Sequence, residues 1–201
     1  MPHRHRKSHT VRNALIVIVT LVVVVSGVVV AYQMSGGKPN SFSGGKILLV
    51  TSMGNITIEL FDNMPITAGN FKTLTQQGIY DGTIFHRVVT GFVIQGGDAT
   101  SKGITVPPIQ DELPNKHNNV RGSVAMAKTS QPNSATSQFF INLKNNAGTL
   151  DSNYSVFGQV IAGMDVADAI GNVEITPTDP SIPDDGKPVH DVTLLVAEII
   201  G

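Results

Sequence analysis

The sequence predicts a mainly β protein, an antiparallel sandwich or closed barrel, carried behind one membrane-spanning helix. Three observations point there. Residues 46–201 break into short runs rich in Val, Ile, Thr and Phe, set apart by Gly, Pro and Asn, the pattern of many short strands joined by tight turns. Only two stretches of that body have helical spacing. Residues 14–32 (ALIVIVTLVVVVSGVVVAY) hold no charged side chain, and about 20 apolar residues cross the ~30 Å hydrocarbon layer as a helix.

Composition agrees. Of 201 residues, 41% are hydrophobic and 14% charged, against roughly 25% charged in an average soluble domain, so the apolar excess is concentrated in one block. The chain has no cysteine, which excludes a disulfide scaffold, thiolate metal sites and thiol catalysis. Arg4, Arg6, Lys7 and Arg12 give residues 1–32 a charge of +4; the other 10 basic and 15 acidic side chains give 33–201 a charge of −5, which sums to the net −1. A mildly acidic body with no basic stripe argues against a nucleic-acid partner, because neutralised phosphates supply most such affinity.

Read in order, residues 1–13 form a basic tail that orients the anchor with this side cytoplasmic and the body outside. Residues 14–32 are a signal-anchor; a cleaved signal peptide, and so a secreted protein, is the alternative, with Val29-x-Ala31 as a small-residue cleavage site. Residues 33–45 (QMSGGKPNSFSGG) are a flexible linker with a reach near ~20 Å. The body occupies 46–201. Ile56, Ile58 and Leu60 alternate with Thr57 and Glu59 after Met53-Gly54-Asn55, which predicts a hairpin. Pro65 opens a helix to residue 77, with Ala68, Phe71 and Leu74 on one face. Strands follow at 83–89, 92–95, 122–127, 138–143, 155–160 and 192–200, with a second helix at 164–170. Residues 176–188, with four prolines, read as a loop. Asp111 and Glu112, adjacent in a loop, read as solvated carboxylates, and Gly96-Gly97 as turn geometry.

Special residues crowd into 85–98 (FHRVVTGFVIQGGD) and 125–160. Together with P-x-T-x-x-N-F (Pro65, Thr67, Asn70, Phe71), Y-D-G-T-x-F-H-R at 80–87, G-F-x-x-Q-G-G-D at 91–98, S-Q-F-F-I at 137–141 and V-F-G-x-V at 156–160, they resemble the cyclophilin family of peptidyl-prolyl cis-trans isomerases over essentially the whole body. The resemblance implies a closed eight-stranded antiparallel barrel capped by two helices, no cofactor, no metal, and peptides containing X–Pro bonds as substrates, with a monomer expected. The active groove should lie on the outer face, because side chains fill the interior of so small a barrel.

The chemistry fits such a site. Rotating an amide costs ~18–20 kcal/mol because resonance is lost at the twisted midpoint. Catalysis therefore needs an apolar slot for the proline ring and a fixed donor that favours the twisted amide over the flat one. The resemblance places Arg87 as that donor, always protonated and with a planar fork of N–H groups. It places Phe92 and Phe140 as aromatics of the proline pocket, Leu150 as its aliphatic wall, and Gln95 and Gln138 as amides that bind the substrate backbone and orient the arginine. Ala127 leaves room for the peptide, Tyr154 is a wall residue, and His86 is structural.

Four positions depart from the common pattern. Val93 stands where many members have Met. Lys128 and Thr129 replace Asn-Ala on the rim, and Thr149 stands where the family's Trp precedes Leu150, which predicts weak cyclosporin binding for want of an indole donor. The expected function is a membrane-anchored peptidyl-prolyl isomerase that assists folding of exported proteins outside the cytoplasmic membrane. A tethered, non-catalytic binder of Pro-containing segments is the alternative.

Overall fold

In β1 (Gly45–Thr51) Ile47, Leu49 and Thr51 are buried, and in β2 (Gly54–Leu60) Ile56, Ile58 and Leu60 are buried while Thr57 and Glu59 turn outward. Side chains of a strand alternate between faces, so each strand lays one face on the core. The pair runs from Gly45↔Leu60 to Thr51↔Gly54 and forms the predicted hairpin. This computed structural model describes residues 42–201; the tail at 1–13, the anchor at 14–32 and the linker up to residue 41 lie outside the described residues. Among the described residues, no helix is long and apolar enough to cross a membrane. Residues 42–45 join the body: Phe42 packs on the core, and Gly44 N donates to Asp62 Oδ1 at 2.6 Å.

The remaining strands are β3 (Thr83–Val89), β4 (Val93–Gly96), β5 (Ser123–Met126), β6 (Phe139–Asn142), β7 (Val156–Ala162) and, after the short β8 (Ile175–Pro177) and β9 (Asp185–Pro188), β10 (Thr193–Ile200); β5 and β6 are buried on both faces. Strands bond in the order β10-β1-β2-β7-β5-β6-β4-β3, and β3 returns to β10 through Ile84↔Thr193 and Thr83↔Leu194. The ring is the expected closed eight-stranded antiparallel barrel, and the second half of β3 carries the β8–β9 hairpin on its outer edge.

Two expectations need correction. The proline-rich stretch at 176–188 is not a loop throughout. It holds most of β8 and all of β9, a hairpin paired from Ile175↔Pro188 to Pro177↔Gly186 and laid on β3 through Val88↔Gly186 and Val89↔Asp185. Pro lacks an N–H and is confined to edges and strand ends; Pro177 and Pro188 each end a short strand. With no apolar alternation of its own, the stretch becomes a strand pair only because β3 offers it a partner. Gly186 permits the close crossing, since a Cβ there would lie 2.8 Å from Pro177 Cα. Among the described residues the α-helices also number three, not two. α1 (Thr67–Gln76) and α3 (Met164–Gly171) match expectation, while α2 (Ala147–Leu150) is a single turn, too short for helical periodicity to show in sequence.

α1 sets Ala68, Phe71 and Leu74 into the barrel core. There Phe71 meets Tyr80, Phe157 and Phe139 at centroid distances of 4.8, 4.9 and 5.2 Å. No side chain of its own caps α1; Glu112 does so from a distant loop, accepting from Thr67 N at 2.7 Å and from Thr67 Oγ1. Glu112 is thus a helix cap and not the solvated carboxylate expected, its charge matched to the orphan N–H groups of a helix start. Gly97, with φ +76°, sits where a Cβ would come within 2.8 Å of the Phe139 ring, in keeping with its expected turn role.

Candidate active site

β3 changes phase midway. Thr83 and Phe85 point into the barrel, and strict alternation would send Arg87 after them. Instead the ladder to β4 slips between Phe85↔Gly96 and Arg87↔Gln95, leaving His86 as the extra residue of a β-bulge. Beyond it Val88 is buried and Arg87 is exposed. Bulges commonly re-aim a side chain beside a functional site, and this one turns Arg87 outward.

The same outer face receives alternate residues of the neighbouring strands. Ile94, Val124, Met126, Phe139, Ile141 and Phe157 fill the barrel, while Val93, Ala125, Ala127, Phe140 and Val156 form a second apolar cluster with Leu150, flanked by Phe92 and Tyr154. Arg87, Phe92, Val93, Gln95, Ala127, Phe140, Thr149, Leu150 and Tyr154 line one open cleft of about 370 Å³, together with Lys128. The Phe140 and Tyr154 rings meet edge to face at 5.5 Å and 85°. Lys144 Nζ stands 5.4 Å from the Phe92 ring centroid. Gln138 lies behind the lining: its Oε1 accepts from Gln95 Nε2 at 2.8 Å, and Gln95 Oε1 is 3.4 Å from Arg87 Nη1. A larger depression of about 490 Å³, lined by Ser43, Lys46, Glu59, Asp62 and Gly201 among others, contains none of these residues.

Arg87 has a partner that sequence reading missed. Its Nε donates to Asp185 Oδ1 at 2.7 Å and its Nη2 to Oδ2 at 2.5 Å. The Arg87 hydrogen bonds hold the Asp185 carboxyl below the usual carboxylate range, and Asp185 in return raises Arg87 above its ordinary value. The two shifts agree on a pair charged at all moderate pH. His86 is different: burial pushes its pKa down against the pull of Asp98, and its Nδ1 finds no hydrogen-bond partner among the described residues. A neutral imidazole suits the structural role expected of it.

The cleft wall stands on the amides of Asn115, Asn119 and Asn146, the last two buried. Asn115 Nδ2 donates to the carbonyls of Asp151 and Tyr154 at 2.8 and 2.7 Å. Asp151 Oδ1 accepts from Asn119 N at 2.7 Å, and Asn146 Nδ2 donates to Phe92 O at 3.0 Å. These bonds tie the segment carrying Thr149, Leu150 and Tyr154 to the strand end carrying Phe92. On the rim, Lys128 pairs with Asp111 at 2.7 Å, with side chains only 10% and 13% exposed. Asp111 is therefore an ion-pair partner and not a solvated carboxylate; adjacency in a loop hid a partner 17 residues away.

Comparison with known proteins decides the family. Residues 46–199 match the family described as "Cyclophilin type peptidyl-prolyl cis-trans isomerase/CLD". The chain is a cyclophilin. It is 50% identical over 131 residues to a peptidyl-prolyl cis-trans isomerase of Acinetobacter baylyi, covering 61% of this chain and 70% of the relative. It is 44% identical over 164 residues to the isomerase cyp18 of Streptomyces antibioticus, covering 76% and 97%. A crystal structure of a Cryptosporidium parvum cyclophilin-type isomerase in the presence of the dipeptide Ala-Pro superposes with a TM-score of 0.66 at 31% identity, covering 78% of this chain and 99% of that one. The enzyme class follows: this cyclophilin is a peptidyl-prolyl cis-trans isomerase, and peptides containing proline are the family's substrates. Of the residues singled out by sequence, nine site residues and the rim residue Lys128 line the cleft, and Gln138 bonds to Gln95 behind it. Asp185 gave no signal, because it lies 98 residues from Arg87 in a stretch whose composition reads as loop.

Proposed function

We propose that Arg87 and the apolar residues of the outer cleft together perform the isomerisation. The proline ring seats against Phe92, Phe140 and Leu150, and the peptide backbone is met by Gln95 with room left by Ala127. As the amide twists, its nitrogen regains a lone pair, and a guanidinium N–H held beside it stabilises that geometry more than the flat one. No proton, nucleophile or metal takes part in these steps. The observation that carries the reading is that Arg87 and the aromatic side chains open onto one cleft, although β-strand alternation without the bulge would separate them. Exchange spectroscopy on a proline peptide, comparing the full chain with Arg87→Ala, tests it: turnover at the spontaneous rate in the variant supports the reading, and an unchanged rate rejects it.

In the cell, we infer a monomeric enzyme anchored by residues 14–32 and facing outward, acting on X–Pro bonds of exported chains, where unaided isomerisation takes tens to hundreds of seconds. The charge asymmetry of the first 32 residues supports that orientation. Membrane fractionation with N-terminal sequencing of the mature protein tests it; a soluble protein beginning after residue 31 would show cleavage. Thr149 offers no indole N–H, so cyclosporin should bind at micromolar or weaker affinity by calorimetry, and low-nanomolar binding would refute that.

A further inference from the structure

The geometry points to Asp185 as a positioning residue for the isomerase, the group that turns the Nη1 edge of Arg87 toward the proline cleft. The inference rests on the reading of Arg87 given above. Both carboxylate oxygens are engaged, one by Nε and one by Nη2, at 2.7 and 2.5 Å. Two parallel bonds between planar groups fix the plane of the guanidinium as well as its place. Nη1 is the nitrogen left outside the clamp, and its bond to Gln95 Oε1 is long, 3.4 Å, beyond the usual range for a firm N–H···O bond. Gln95, the orienting amide implied by resemblance, is thus the weaker restraint.

Asp185 does not line the cleft, so it acts through Arg87. The proline-rich hairpin outside the barrel ring holds it in place. β9 pairs with β3 at Val89↔Asp185, Thr90 N donates to Asp184 O at 2.9 Å, and Asp185 N donates to Ile182 O at 3.2 Å. The Asp185 side chain is 19% exposed, shielded enough to keep one geometry. An arginine immobilised before substrate arrives need not be ordered during the reaction, which is how orientation lowers a barrier.

The test uses the full-length chain in detergent. Wild type, Asp185→Ala, Asp185→Asn, Asp185→Glu and Arg87→Ala are compared by exchange spectroscopy over a range of peptide concentrations, separating kcat from KM. Asp185→Ala and Asp185→Asn should lower kcat by about tenfold or more while KM moves less than about twofold, and Asp185→Glu should restore part of the loss. In wild type the Arg87 Nε–H resonance should exchange slowly with water. Asp185→Ala should abolish that protection while the Arg121 Nε–H, which is outside its own ion pair, stays as it was. Wild-type kcat in Asp185→Ala overturns the inference, as does a fall in kcat with the Arg87 Nε–H unchanged or with KM rising in step. A slow Arg87→Ala beside a fast Asp185→Ala rejects this inference alone; a fast Arg87→Ala rejects the reading beneath it as well.

Discussion

Two arginine–aspartate pairs in this molecule have similar chemistry and different consequences. Arg121 gives Nη1 and Nη2 to the two oxygens of Asp168 at 2.8 and 2.6 Å, and Nη1 also donates to Leu143 O at 2.7 Å. Arg87 gives Nε and Nη2 to Asp185. The arginine side chains are similarly exposed, 49% and 45%, and in both pairs the arginine's hydrogen bonds lower the aspartate's pKa. They differ in which donors remain. Arg121 turns its outer nitrogens to a carboxylate and a loop carbonyl, tying the β6 end to α3. Arg87 leaves Nη1 outside the clamp, with only Gln95 Oε1 at 3.4 Å, on a side chain that lines the cleft. A bidentate pair is therefore no mark of function by itself; the donor left outside the carboxylate, and where it lies, separates the brace at Arg121 from the role proposed for Arg87.

The largest effect should separate the two arginines. Arg87→Ala is expected to lower kcat/KM by about 10²–10³-fold, the usual loss when one preorganised donor to a transition state is removed. Arg121→Ala should leave kcat/KM within about twofold, as surface changes away from a site do. Comparable losses in both would end the distinction. A smaller effect is expected from Gly186→Ala, which forces a Cβ against Pro177 Cα and so loosens the hairpin that holds Asp185. Its kcat should fall by less than that of Asp185→Ala, up to about tenfold, because the carboxylate is displaced and not deleted; Asp168→Asn should leave kcat alone.

The smallest effect concerns acid stability. Both aspartates have folded pKa values below the unfolded carboxylate value, near 3.9. Each contributes stability that is present above the unfolded pKa and is lost as pH falls through the folded one. For the exposed Arg121–Asp168 pair this amounts to about 0–1 kcal/mol after screening by solvent. Asp185, 19% exposed against 39% for Asp168, should contribute more. Urea midpoints between neutral and acid pH, with Asp168→Asn and Asp185→Asn alongside, measure both; a larger loss from Asp168→Asn would reverse the ranking.

The barrel was largely legible in the sequence because period-two alternation is written into it. Ile56, Ile58 and Leu60 mark the buried face by their spacing alone, whereas the apolar run Phe139-Phe140-Ile141 does not say which side faces the core. The cleft residues were legible through family motifs, not through their own physics, since an isolated Phe92 or Phe140 reads as core. Three features were hidden because each depends on pairing across distance. The bulge at His86 leaves no trace in FHRVV, yet it decides the face on which Arg87 emerges. Asp185 sits in a stretch that forms a strand only because β3 is beside it. Lys128 was visible as a departure, but its neutralisation by Asp111 was not, and the rim is less cationic than the sequence suggests.

We propose that Arg87 acts by directed N–H donation and not by charge alone. Arg87→Lys keeps the charge but loses the planar fork. In exchange spectroscopy on a proline peptide, the lysine variant should still shift the peptide's resonances on binding, while cis–trans exchange drops toward the spontaneous rate. Exchange at the wild-type rate in Arg87→Lys would contradict the account.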